Sequence, residues 1–169
     1  MMYINLLLLI VVTISLVTDL RERKIYNKVV FPGILCGLVL NSYYSGFDGL
    51  VFSLKGFALG IGLLLIPLVL GGMGAGDVKL LGAIGAIKGP VFVFTAFLGT
   101  ALAGGAIAVL ILMKQKRFLL SVRRILAGLY IMFTNKDVKA LETLESTEYS
   151  NIFPYGVAIA VGTIVAYIA

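Results

Sequence analysis

The chain has 169 residues, of which 60% are apolar and 13% charged, with a net charge of +6; a soluble domain runs roughly 45–50% apolar and about 25% charged, so most of this surface must face lipid. There is no histidine and one cysteine, Cys36, which excludes Ser-His-Asp and Cys-His catalysis, His-ligated zinc or haem, a four-cysteine zinc site and an intrachain disulfide. The positive charge does not point to nucleic acid, because the basic residues cluster beside apolar stretches, the topogenic pattern of membrane proteins.

Five stretches approach the roughly 17–25 helical residues that cross about 30 Å of hydrocarbon: 2–18, 29–44, 50–72, 91–113 and 152–169. The first reads as a retained anchor, since no basic residue precedes it and no small-x-small cleavage site follows. A sixth stretch, 78–87, is about 15 Å long as a helix. It needs the glycine-rich segment before it, protein neighbours or local thinning of the bilayer to complete it. The expected fold is all-α: a bundle of six transmembrane helices forming one membrane domain over residues 1–169, with a cytoplasmic loop, 114–150, between the fifth and sixth. In that loop Phe118, Val122, Leu126, Leu129 and Phe133 recur at helical spacing. Arg123 and Arg124 make the run a poor lipid span. It is either an amphipathic helix lying in the interface or a connecting helix packed on the bundle. Residues 136–149 read as a short water-exposed helix.

The basic residues set the expected orientation. All but Lys55 and Lys88 fall after the first span, at the start of the fourth, or between the fifth and sixth. With six spans these regions share one side, which the positive-inside rule makes the cytoplasm. Both termini are then outside.

Two carboxylates stand apart from the solvated ones. Asp19 ends the first span and Asp77 opens the fourth. Odd spans run inward and even spans outward, so both lie at the cytoplasmic edge at one depth. An ionisable residue at that edge is a functional hypothesis by default. Each has a plain structural alternative: Asp19 as a boundary charge paired with Arg21 or Arg23, Asp77 as a helix cap. As a pair in a low-dielectric site they would share a proton. One could take a proton from water while the other gives one to a peptide carbonyl. Such chemistry requires no metal, cofactor or histidine. Gly71, Gly72, Gly74 and Gly76 break the helix beside Asp77. They allow positive φ and close approach of another chain, which suits an edge for an extended peptide; the alternative is a hinge or close helix packing.

Gly74-Ala75-Gly76-Asp77 is a Gly-x-Gly-Asp motif, and the run from Gly72 to Gly82 resembles the second aspartate region of type IV prepilin peptidases. The run from Asp19 to Asn27 resembles their first, and Pro154-Tyr155-Gly156-Val157 the start of their last span. The resemblance covers nearly the whole chain. It implies a membrane aspartic endopeptidase that removes the basic leader of prepilin-like proteins at the cytoplasmic face, with Asp19 and Asp77 as the catalytic pair. It implies positioning roles for Gly74, Gly76, Lys79, Asn27, Pro154 and Gly156, and a partner with a basic leader and an apolar helix. The chain has no four-cysteine N-terminal extension, so no methyltransferase activity is expected. In this it is similar to the short peptidases of tight-adherence pili and to archaeal preflagellin peptidases. Tyr26 stands where many relatives have proline, which loosens the turn into the second span, though Asn27 can still cap it. Two other functions fit the sequence: a small cation- or proton-coupled transporter, and a catalytically silent assembly subunit of a secretion machine. Neither the substrate's identity nor the oligomeric state is written in the sequence.

Overall fold

A computed structural model describes residues 2–69, 72–114 and 155–169, with the side chains of 111–114 outside that description. The chain packs as two units. Met1–Gly104 with Pro154–Ala169 carries everything argued below; of the second, Gly105–Phe153, the described part is the rest of one helix. The expected loop helices at 114–150 and Pro154 lie outside the described residues, as does Gly71.

The described elements are all helices: α1 (Met2–Glu22), α2 (Asn27–Val69), α3 (Ala75–Lys88), α4 (Pro90–Lys114) and α5 (Tyr155–Ile168). Three of them, α1, α2 and α4, are long and apolar enough to cross a membrane, and α5 is a shorter apolar helix. The protein is an integral membrane protein. Large apolar side chains such as Leu35, Val39, Ile66, Val91 and Leu102 point outward, an arrangement that suits lipid and not water.

The second and third expected spans meet inside α2. Ser45 leaves helical geometry (φ −130°, ψ 15°), and Gly46 adopts φ 58° and ψ −138°, a backbone state open to glycine because it has no Cβ. The chain folds back there. Asn41 before the break donates from Nδ2 to Ser53 Oγ after it, at 2.9 Å, so α2 is a hairpin of two helical arms.

The short expected span, 78–87, is α3, and it is the core. From Asp77 to Ile87 every residue but Lys79 is buried. Around it pack Leu8 and Val11 of α1, Val30, Ile34 and Leu64 of the two α2 arms, Val93 of α4 and Ile159 of α5. Glycines let the second arm of α2 approach α3 backbone to backbone. A methyl added at Gly85 would lie 2.5 Å from the Gly56 carbonyl carbon, and one at Gly56 would lie 2.7 Å from that of Gly85.

With 14 residues, α3 is about 21 Å long, against about 30 Å of hydrocarbon. Protein neighbours complete it. The last carbonyls of a helix have no partner within it, and here Asn41 Nδ2 reaches those of Ala86 (3.3 Å) and Ile87 (3.1 Å), while Ser53 Oγ donates to Ala86 at 2.7 Å. Beyond them, Lys88 donates to Asn5 Oδ1 at 3.0 Å and sits over the rings of Phe92 and Tyr167. Those contacts gather the start of α1, the end of α3, the start of α4 and the end of α5 at one end of the bundle.

Candidate active site

The opposite end of the bundle gathers the end of α1 and the starts of α2, α3 and α5. Asp19 lies in the last turn of α1 and is 5% exposed; Asp77 lies in the first turn of α3 and is 8% exposed. Both line one cavity of about 330 Å³, with Arg23, Lys24, Ile25, Tyr26, Asn27, Gly74 and Gly76. A larger groove of about 650 Å³ between α1 and α5 has no charged side chain in its lining, so both buried carboxylates belong to the smaller cavity.

Backbone N–H groups orient both carboxyls. Gly156 N–H donates to Asp19 Oδ2 at 2.8 Å, a partner other than the Arg21 or Arg23 of the boundary-charge alternative. Gly74 N–H donates to Asp77 Oδ2 at 3.1 Å, and Asp77 N–H returns a bond to the Gly74 carbonyl, also at 3.1 Å. Asp77 therefore caps α3 from the third helical position, reaching back to the residue before the helix, and still lines the cavity. A carboxylate offers about four lone-pair sites, so each single N–H bond fixes a side chain without exhausting it.

The glycine segment differs from the expected form. Gly72 and Gly74 lie outside the helix, but Gly76 is in the first turn of α3. Among the described glycines positive φ occurs at Gly46 and Gly89, not at Gly72, Gly74 or Gly76; Gly74 is extended at φ −81° and ψ 148°. Its neighbour Gly76 owes its place to crowding, because a Cβ there would stand 3.0 Å from Ile25 Cβ. The left-handed residue at this end is Arg23, at φ 53°, whose N–H closes on the Asp19 carbonyl at 2.9 Å. An L-residue in that state costs about 1–2 kcal/mol, and it turns the chain sharply out of α1 just past Asp19.

Asn27 does not cap α2 with its side chain. Its Oδ1 accepts from Lys79 Nζ at 3.2 Å, and the Tyr26 carbonyl takes the N–H groups of Val29 and Val30. Lys79 and Asn27 thus join α3 to the start of α2 at the cavity's rim, where Lys79 also lies over the Phe31 ring. The Tyr26 hydroxyl donates to Glu22, and that bond, with the carboxylate's charge, pushes the phenol above its usual range.

Residues 6–109 match the model of the type IV leader peptidase family, well over half the chain and inclusive of both aspartates. The chain belongs to this family. A prepilin peptidase, EppA, of Methanocaldococcus jannaschii is 34% identical over 92 residues, 54% of this chain and 23% of that protein. The chain thus spans about a quarter of the length of the curated relative it matches. No solved structure matches it significantly. The leader peptidase match ends before Gly156, so the residue that holds Asp19 is supplied from beyond it. Adding a methyl there gives a sharp test of that contact. In Gly156→Ala the new Cβ would stand 2.6 Å from Asp19 Oδ2 and 3.0 Å from its carboxyl carbon. The carboxyl is a movable side chain, so folding should survive with a Tm within about 4 °C of wild type, roughly 1 kcal/mol for a chain of this size. A larger loss in thermal melts would mean that the carboxyl cannot move aside for the methyl.

Proposed function

We propose that the protein is a membrane aspartic endopeptidase that cuts the basic N-terminal leader from prepilin-like proteins at the cytoplasmic face. One observation carries the reading: Asp19 and Asp77, 58 positions apart in the chain, line a single small cavity at one end of the bundle. Among the described residues two segments leave helical form beside it, after Glu22 and at Gly72–Gly74, which is where an extended peptide can approach a bundle.

In this reading the two carboxyls hold one proton between them. The ionised one takes a proton from a water molecule, whose oxygen attacks the scissile carbonyl carbon. The protonated one donates to the carbonyl oxygen as the tetrahedral intermediate forms. Collapse breaks the C–N bond: the proton gained from water passes to the leaving amine, and the carboxylate that had donated takes a proton back from a hydroxyl of the intermediate as C=O re-forms. Each carboxyl then returns to its starting state. Gly156 and Gly74 N–H hold one oxygen of each dyad member and so fix the direction in which the other oxygens face the peptide.

With the two arms of α2 taken as separate crossings, the described helices α1, α2, α3, α4 and α5 support the six-span reading. The basic residues then favour a cytoplasmic site and outer termini. The substrate's apolar helix would approach laterally, its leader remaining on the cytoplasmic side. A cavity at the end of α1 favours this reading over a cation carrier, whose site belongs near the midplane. The test is incubation of the purified full chain, in lipid nanodiscs, with prepilin-like proteins carrying a basic leader and an apolar helix. One cut at the end of the leader, read by mass spectrometry, is the expected result. Intact substrate across such a panel, with folded enzyme, would leave the silent-subunit reading in its place.

A further inference from the structure

Among the described residues, Ser15 Oγ is the buried side-chain polar atom with no hydrogen-bond partner. Its residue is 0% exposed. The usual escape for a hydroxyl in a membrane helix is the carbonyl one turn back, and other hydroxyls here take it: Thr95 to Val91, Thr100 to Ala96 and Thr163 to Ile159. Ser53 spends its hydroxyl on the end of α3. Ser15 does neither. An unsatisfied buried hydroxyl costs free energy that alanine would not, so its presence calls for a use.

Its position supplies one. The buried face of α1 is Leu8, Val11, Ser15 and Asp19, so Ser15 stands one turn from Asp19 on the same face. Residues four apart on a helix are neighbours, about 5–6 Å between Cβ atoms. Side chains lean toward the helix N-terminus, which carries the Asp19 carboxyl back over Ser15. Gly156 N–H occupies Asp19 Oδ2, and Oδ1 still has acceptor capacity.

We propose that Ser15 is a positioning residue for Asp19: with substrate bound, its hydroxyl donates to Asp19 Oδ1, so that Ser15 and Gly156 grip the carboxyl from two sides. This rests on the dyad reading given above. The hydrogen bond tightens when the site is occupied, as bonds within catalytic groups commonly do. Ser15 touches no reacting atom; it acts through Asp19.

The test is steady-state cleavage by Ser15→Ala, beside its thermal melt in the same nanodiscs. A hydrogen bond to a charged group that matters in the transition state should appear as a fall in kcat of about tenfold to a hundredfold, with KM within about twofold, because substrate binding is untouched. The melt should be unchanged or higher, since an unsatisfied buried group is removed. Ser15→Thr, which keeps the hydroxyl, should recover most of the lost kcat. Wild-type kcat in Ser15→Ala overturns the proposal, as does a fall in kcat that tracks a lower Tm, or a Ser15→Thr as stable as wild type that recovers nothing. Asp19→Asn run alongside separates the two ideas: if it stays active the dyad reading fails, whereas an inactive Asp19→Asn with a fully active Ser15→Ala removes only the role of Ser15.

Discussion

Asp19→Asn and Asp77→Asn should each lose about a hundredfold to ten-thousandfold in cleavage rate, the range carried by a positioned acid or base. Asparagine has nearly the shape of aspartate, and its amide oxygen can still accept from Gly156 N–H in one case and from Gly74 N–H in the other. Folding is therefore kept, and the melts of both variants should lie near that of wild type. What is removed is the ability to carry a proton and a negative charge. In the proposed dyad the two carboxyls act together, so the double variant should be little slower than either single one, the non-additivity expected of coupled catalytic groups. Initial rates with a co-reconstituted prepilin would read all three. Either single variant processing at the wild-type rate would remove that aspartate from the mechanism.

The largest effect on stability is expected from Gly85→Ala. The new methyl would sit 2.5 Å from the Gly56 carbonyl carbon and closer still to its oxygen. Main chain lies on both sides, so no side chain can swing aside; α3 and the second arm of α2 must separate. Overpacking costs about 1–3 kcal/mol where side chains can adjust, and a backbone clash belongs at or above the top of that range. For a chain of this size about 3 kcal/mol lowers Tm by roughly 6–12 °C. Asp77 rides on α3, so cleavage should fall with it. Gly62→Ala is the control: nothing lies within 4 Å of its added methyl, and alanine favours an exposed helix position by roughly 1 kcal/mol. A Gly85→Ala protein that melts with wild type would mean the two helices are farther apart than described here.

Much of the outline was readable in the residues. Span lengths and the alternation of direction placed the end of α1 beside the start of α3, and the break at Ser45 and Gly46 falls between the second and third expected spans. The site's fine geometry was not readable, for physical reasons. Gly156 stood among the positioning residues implied by resemblance, but its partner did not show: the bond to Asp19 spans 137 positions, and a main-chain donor does not reveal in sequence which acceptor it meets. The glycines before Asp77 suggested unusual dihedrals, yet what marks Gly76 is the close approach of Ile25, whose Cβ would stand 3.0 Å from an added methyl, a matter of tertiary crowding that composition does not carry. Asn27 looked like a cap from its place at a helix start, but an ammonium four residues into α3's opening turns competes for the same oxygen and takes it. Arg23 in the left-handed state carries no signal at all, since glycine or asparagine is the usual occupant. Asn41 does carry a signal: an amide in an apolar run needs partners, and it finds them at the end of α3.

That last contact bears on biogenesis. Released alone into lipid, α3 would leave its final carbonyls without donors inside the hydrocarbon, at several kcal/mol for each such group. Asn41 and Ser53 both precede α3 in the chain, so the donors emerge from the ribosome before the helix that needs them. The α2 hairpin can thus wait in the membrane as a preformed receptor, and α3 enters the bilayer by docking onto it and not as an independent span.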